Sequence, residues 1–503
     1  MTKPTRSQIE AVYAFPTYKV EILIPLSGYT TITNAYVASI SGNIDSSGSD
    51  SNAVAFGTPN DPNATLEVEN YSIAGHYLSE RYWIGKLVRI SYGFSTNFSV
   101  VFTGPITSIR VTDELVQYEL GGTQTYLRDS LKLNTPIYYR RPVATATTNT
   151  SVEDPTAVNY AAGLLNYAFW QAGGRPYQQK GISYTESDSG FRFWYVCDQS
   201  LMIPEYSWFS ENSLEEIYAF CRAVGGQLYQ DAEGVLHYAQ PLEFANTVGY
   251  SDYYTFTDSV FQGYREEINT IEETGTLKAT YTPRRVQPTQ QVIEDKTPRF
   301  FTPGETKVIE LAPQLPIWEY VNINASALIA QLIDGRDVTP TIGTIEQYAS
   351  KLIITITNPS DIPMFLYSIT IEGRPLAAGD EVSMSYGTLP PERTLENNVN
   401  VQNEEHARRL TKLVYDFYSA LKPIITLNDV QFDTDRYIGE LVKLNSRFKN
   451  DPYALYRIIR IAYNGSGTSM DIGLIDVSEL PTKNDMFIIG NTYASNTIKQ
   501  LSY

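Results

Sequence analysis

At 503 residues the chain has room for roughly three to four domains, and its 42% hydrophobic residues can fill a large core. Only 19% of the residues are charged, and 56 Asp and Glu against 38 Lys and Arg leave a formal net charge of −18. That balance excludes a protein that grips nucleic acid by its phosphates, which takes a basic face.

Tyr is abundant, 38 against 20 Phe and 5 Trp, which suits β-sheets and wet interfaces because the ring is apolar and its tip polar. Tyr18–Ile24 alternates as a half-buried strand does, and Ala35–Ile40 is a short apolar run. Residues 41–63, rich in Gly, Ser, Asn and Asp, read as a long loop or an ordered excursion. Thr65–Asn70 alternates again, with carboxylates on one face. Ile84-Gly-Lys-Leu-Val-Arg-Ile90 follows, and it returns near the far end as Ile438-Gly-Glu-Leu-Val-Lys-Leu444. Each copy is followed by strand, turn, strand: Ile106–Val111 and Leu115–Leu120 after the first, Tyr456–Tyr463 and Ser469–Ile475 after the second. We therefore expect one small β-barrel to occur twice. Its matching strands carry Ile84, Gly85, Leu87 and Val88 in the first copy, and Ile438, Gly439, Leu441 and Val442 in the second.

Between the copies the period changes. Val158, Ala161, Ala162, Leu165 and Phe169 fall at helical spacing, stopped by Gly173-Gly174. Ser213-x-x-Glu216 is a capping box, with Leu214, Ile217, Tyr218, Cys221 and Val224 as an apolar stripe behind it. A hairpin turning at Asp231–Gly234 follows. Strands return at Thr276–Tyr281, Lys307–Leu311, Leu352–Ile356 and Leu366–Ile371, and Glu372–Pro375 reads as a sharp turn. Asn403 caps the longest helix. There Glu404–Arg408 and Glu405–Arg409 pair outside while Leu410, Leu413, Val414, Phe417 and Leu421 face inward, up to Pro423. The expected class is mainly β with an α+β insertion: two related small barrels flanking an α+β domain and a further β domain. The boundaries expected are 1–141, 142–262, 263–400 and 401–480, then a polar, aperiodic arm at 481–503.

The chain is poor in groups that do chemistry. His76, His237 and His406 fall in different expected domains, and His406 lies beside an apolar stripe, as a packed or capping residue would. Cys197 and Cys221 match no zinc spacing and read as free thiols. Asp45–Asp50 resembles part of a calcium loop but lacks its ligand count and terminal Glu. Acidic pairs occur at Glu266-Glu267, Glu272-Glu273 and Asp433/Asp435, but adjacency in sequence selects none for acid–base work. The aromatic clusters Phe193–Tyr195 and Tyr206–Phe209 could stack on a sugar, against a plainer reading as core or subunit contact. No nucleotide or hydrolase fingerprint is present, so no catalytic, cofactor or metal residues are assigned. No run approaches a membrane span, the first residues read as no secretory signal, and the Asn-x-Ser/Thr triplets at Asn70, Asn97 and Asn324 carry no weight without one.

Several fragments, in this order, resemble the hub proteins of phage tails. They are Gly85–Ile90 with Val101–Ile106, Asp113 and Tyr118–Leu120, then Ser213–Gly226 with Tyr229–Leu236, the junction Tyr264–Ile271, and Ser383–Gly387 with Ala407 and Gly439–Val442. The resemblance runs through most of residues 18–480; the 41–63 excursion, the 300–390 region and the segment after 480 depart from it. It implies a non-enzymatic structural protein of a tail tip or baseplate, made in the host cytoplasm and resident in the virion tail. It further implies three chains per ring and a match between a sixfold tail tube and a threefold tip. The implied partners are a distal tail or tail-tube protein, and fibres, a spike or receptor-binding proteins, with DNA only in transit. The competing expectations are a carbohydrate-active tail enzyme using paired carboxylates and a glycan-binding adhesin without a ring.

Overall fold

The computed structural model describes residues 17–24, 27–32, 37–45, 62–94, 97–112, 115–129, 134–139, 165, 168–169, 174–176, 192–193, 204–210, 213–239, 253–267, 275–395, 397–418, 424–433, 435–438, 440–449, 451, 454–463, 469–476, 486–489 and 492–495. The fold is mainly β and is divided among several sheets. The first unit holds β1 (Thr17–Ile24), β2 (Gly28–Ile32), β3 (Val37–Asp45), β4 (Asn63–Glu69), β5 (Leu87–Phe94), β6 (Asn97–Val111) and β7 (Leu115–Leu120). Their order across the sheet is β3-β4-β7-β6-β5-β1-β2. Alternation drives this: Ala64, Leu66 and Val68 of β4, and Val116, Tyr118 and Leu120 of β7, point to one core. β6 serves two neighbours in turn, β5 through Pro105 and β7 from Ile106 onward. Pro105, with no N–H to give, sits at that handover.

A small α+β unit comes next. Helix α1 (Ser213–Ala223) buries Leu214, Ile217, Tyr218, Cys221 and Val224 against Phe169, Phe209 and the hairpin β8 (Gln227–Gln230) and β9 (Val235–Ala239). Gly234, at φ +79°, makes the expected turn. The Glu216 carboxylate reaches past the expected partner and accepts the N–H of Ser210 at 2.9–3.0 Å. Of the expected 158–169 helix only residues 165, 168 and 169 are described, and all three are helical.

The chain then enters the second unit with β10 (Tyr254–Thr257) and β11 (Gly263–Glu267), leaves it with β12 (Thr276–Tyr281), and builds a β-sandwich over residues 284–378. The long strand β13 (Met364–Ala378) pairs with five others, and the facing sheet is Thr306–Leu311, Leu352–Thr357 and Thr341–Gln347. The two sheets share a core of their own. The turn expected at Glu372–Pro375 is strand, running on inside β13. Gly373 serves close approach there, since a Cβ would stand 2.9 Å from the Glu319 carbonyl oxygen and 3.0 Å from Val292. After the sandwich, β14 (Val382–Gly387) pairs antiparallel with β12.

Helix α2 (Glu404–Tyr418) starts at Asn403, whose side chain accepts the His406 N–H at 2.8 Å. Its two i,i+4 ion pairs form as the sequence expects, and Leu410 and Val414 are buried. The side chains of Phe417 and Leu421 lie outside the described residues. The second unit resumes with β15 (Ile424–Gln431), β16 (Leu441–Asn445), β17 (Tyr456–Tyr463) and β18 (Ser469–Asp476). Its order is β11-β15-β18-β17-β16-β10, so β10 and β11 belong to it even though the boundary expected at 262 falls between them.

The fold departs from the expectation in further respects. Neither unit closes as a barrel by strand pairing among the described residues. Instead each is a curled path whose two end strands are consecutive in the chain, β2 with β3 and β10 with β11. The units are also not separate: β3 pairs antiparallel with β17, making one 13-stranded sheet over one shared core. The strand β3 includes residues 41–45, the start of the segment read as a long loop or an ordered excursion. Finally, Met486–Ile489 and Thr492–Ser495 form a hairpin within the expected aperiodic arm.

Candidate assembly interface

The two copies of the repeated heptapeptide take the same place in the two units. β5 begins at Leu87 and β16 at Leu441. Just before them, the Lys86 N–H donates to the Trp83 carbonyl at 3.0 Å, and the Glu440 N–H to the Tyr437 carbonyl at 3.1 Å. Ile106 donates to the Lys86 carbonyl at 3.0 Å, and Ile458 to the Glu440 carbonyl at 2.9 Å. Leu87 stands opposite Pro105 and Leu441 opposite Arg457. Next, Ile106 faces Leu120 and Ile458 faces Leu474, and both ladders slip at the following residue, so that Ser108 faces Glu119 and Arg460 faces Gly473. Each ladder thus carries an irregularity at the same place, where a bulge locally bends the strand.

The side chains largely agree. Leu87, Val88, Leu441 and Val442 are buried. Arg89 lies over the Tyr29 ring at 3.8 Å, and its counterpart Lys443 over Tyr253 at 5.5 Å. Gly85 takes φ +80°, while Gly439 lies outside the described residues. The first residue differs: Ile84 is 46% exposed and Ile438 only 6%. The strands flanking the shared set also differ. β1 runs antiparallel to β5, whereas β10 runs parallel to β16.

Where the units meet, Gly42, Asn43, Ile44 and Asp45 of β3 stand opposite Tyr463, Ala462, Ile461 and Arg460 of β17. The core passes beneath this joint: the Tyr92 ring of β5 lies 5.5 Å from Phe432 and 6.2 Å from Tyr463. Burial pushes the Tyr92 hydroxyl up to about 12, so it stays neutral. In the second unit Arg436 bonds the Glu440 carboxylate, approaches Asp433 at 3.3 Å, and lies 4.0 Å over the Tyr254 ring of β10. Burial pushes the Glu440 carboxyl up to about 7 despite the guanidinium beside it.

Buried side-chain amides fasten the α+β unit on both sides. Gln230 of β8 donates to the Thr103 carbonyl at 2.8 Å and accepts from the Thr123 hydroxyl at 3.0 Å. Gln402 donates to the Tyr206 carbonyl at 2.8 Å and accepts the Tyr206 N–H at 2.7 Å. Asn398 reaches the Ala219 carbonyl at 2.7 Å, and His406 Nε2 the Ala223 carbonyl at 2.7 Å. Since a carbonyl only accepts, His406 carries its proton on Nε2, and burial holds the imidazole down to about 4.

The other candidate groups do not converge. His76 stacks on Tyr82 at 3.8 Å and contacts Glu80; His237 contacts Asp231 and stacks on Tyr229. Glu266 is held by Lys449 and by the Tyr264 hydroxyl, and Glu267 by Arg265. Asp433 accepts the Asp435 N–H, which places the pair in a local turn. Glu272, Glu273, Cys197 and residues 46–50 lie outside the described residues, and Cys221 is a buried free thiol. Tyr206, Trp208 and Trp318 form the contact between the α+β unit and the sandwich, and Phe209 is core. Among the described residues no acidic or His/Cys cluster could hold a metal, and no helix is long and apolar enough to cross a membrane.

No family model matches the chain, and no curated protein does. Among solved structures, the 43 kDa tail protein of prophage MuSo2 from Shewanella oneidensis is similar over 92% of this chain and 99% of its own, at 9% identity and TM-score 0.42. A tail protein from Neisseria meningitidis is similar over 92% and 96%, at 8% identity and TM-score 0.42. A prophage tail protein from Listeria monocytogenes is similar over 91% and 94%, at 9% identity and TM-score 0.37.

Proposed function

We propose that this chain is a non-enzymatic structural protein of a phage-type tail, a hub in which three copies form a ring at the tip or baseplate. The observation that carries the reading is the pair of like units in one chain. They share their strand pairing and the place of their bulge, and they join edge to edge. Two such units in each of three chains present six similar positions on a threefold body. That is what joining a sixfold tube to a threefold tip calls for. The segments carrying Ile84, Gly85, Leu87 and Val88, and Ile438, Gly439, Leu441 and Val442, which lead into and begin β5 and β16, are on this reading the matching segments of a duplicated unit. The working parts would be the first unit up to about residue 141, the α+β unit, the inserted sandwich, and the second unit assembled from 253–267 and 401–480.

In this role the ring contacts a distal tail or tail-tube protein on one side and fibres, a spike or receptor-binding proteins on the other. It resides in the virion tail. The acidic balance suits a channel whose wall repels DNA phosphates and lets the genome slide. Electron microscopy of particles carrying a tag on this chain tests the assignment: the tag belongs at the tail tip, as three copies around the axis. A tag on the capsid or along the tube, or a basic channel wall, would overturn it.

A further inference from the structure

The joint between the two units has an unfilled counterpart. β17 is covered by β3 along Arg460–Tyr463, on the edge that β16 has left free. The shared bulge aligns those residues with Ser108–Val111 of β6. There β7 lies on one side, and on the β5 side the pairing ends at Ile106 among the described residues. Exposure follows the difference. Ile459, Ile461 and Tyr463 are buried, Tyr463 to 7%. Their counterparts Thr107, Ile109 and Val111 are exposed or half-exposed, Val111 at 54%.

The piece that would cover this edge can be found by the same alignment. Ala64 stands between Leu120 and Gly42, and Ile425 between Leu474 and Glu266. Leu120 and Leu474 are equivalent, so Gly42 and Asn43 of β3 correspond to Glu266 and Glu267 of β11. β3 is paired on both sides at those residues, whereas β11 is paired only with β15 among the described residues.

We propose that the Thr107–Val111 edge of β6 receives the end of β11, Glu266–Glu267, from a second copy of this chain. The register copied from the internal joint sets Glu266 opposite Val111 and Glu267 opposite Arg110, a cross-strand pair of opposite charge. The contact is heterologous, β11 of one copy on β6 of the next, so it propagates around a ring. It pairs two strand edges that are unpaired among the described residues. The inference rests on the ring reading and adds to it the strands and the register.

Chains carrying Arg110→Cys and chains carrying Glu267→Cys, full length, are mixed at assembling concentration and oxidised. The expected product is a disulfide-linked pair joining positions 110 and 267, absent when either variant is oxidised alone. Light scattering on the same samples separates the two ideas. Trimers without the 110–267 link overturn the edge assignment and leave the ring standing. A failure of the chain to associate, both alone and in tail particles, overturns both. As a second measurement, Arg110→Glu weakens association about tenfold, and adding Glu267→Arg to the same chain restores it. Trimers indifferent to the first change, or unrescued by the second, overturn the register.

Discussion

His406 and Glu440 are buried groups whose titrations push stability in opposite directions. The folded chain holds the His406 imidazole near 4, against an ordinary 6.5. Between those values the unfolded chain binds a proton that the folded chain does not. Stability therefore falls as pH drops from about 6.5 to 4, by on the order of 3 kcal/mol. His406→Gln can still donate to the Ala223 carbonyl and does not titrate, so this acid loss should shrink, as urea midpoints across that range will report. Glu440 has the reverse sign. Its carboxyl is near 7 folded and 4.5 ordinarily, so the folded chain keeps a proton that the unfolded chain has lost. Stability then falls as pH rises from about 4.5 to 7, again by on the order of 3 kcal/mol. Glu440→Gln should flatten that limb in the same titration. In the unaltered protein the two contributions oppose each other between about pH 4.5 and 6.5, so each is read as the change of slope between a variant and the unaltered chain.

The strand β3 is the element on which the joined sheet depends, because Gly42 and Asn43 pair with both units at once. Asn43→Pro deletes an N–H and places a ring in a strand flanked on both sides, leaving a ladder partner unsatisfied at a cost of about 1–3 kcal/mol. Hydrogen exchange should then speed up at Arg460–Tyr463, on the far side of the joint, while Leu115–Leu120 stays protected. Equal protection at both would mean that the joint contributes little. This element was half legible in the sequence. Ile40, Gly42 and Ile44 share the period of two, but Ser, Gly, Asn and Asp between them are turn formers, and composition outweighed the period. Tertiary pairing decides such a segment, and pairing partners more than 400 residues away leave no local trace. The same reason hid the role of β10 and β11, whose partners β15 and β16 lie beyond the sandwich. By contrast, α1 and α2 were readable from Ser213, Glu216, Asn403 and their apolar stripes, because caps and periods are local signals. The heptapeptide repeat was readable for a different reason: the two strands meet similar surroundings, and similar surroundings select similar residues. Glu372–Pro375 reads as a turn and is strand because Gly also marks close approach within a sheet.

The molecule is one sheet of two like halves, with the α+β unit between them in the chain and the sandwich inserted within the second, and that larger addition hangs from the sheet by a simple topology. β12 and β14 pair as a hairpin would, with Tyr281 opposite Val382 at the end where the sandwich leaves and returns. Everything from 282 to 381 thus hangs from the tip of one hairpin. The sandwich has its own core, with Phe301, Leu352, Ile354, Met364, Leu366 and Ile369 buried within it. Among the described residues its further attachments include the Ala349 N–H donating to the Thr135 carbonyl, the Thr282 N–H to the Val401 carbonyl, Ser350 bonding Asn134, Asn397 bonding Glu381, Trp318 packing on Tyr139 and Tyr206, Arg284 over Trp208, and Ile137 in one small core with Ala349 and Leu376. Replacing 282–381 by an Asn-Gly turn should therefore leave a chain that folds, since that dipeptide closes two-residue hairpins without strain. Losing the contacts to Tyr206 and Trp208 uncovers apolar surface, so a loss of about 2–3 kcal/mol is expected, not global unfolding. The excised segment, made alone as residues 282–381, should melt cooperatively as an independent domain. Two transitions in the full chain, one matching the isolated sandwich and one the shortened chain, would establish that independence. A single transition, with both pieces unfolded when separated, would show that the sandwich and the double sheet are one cooperative body despite the topology.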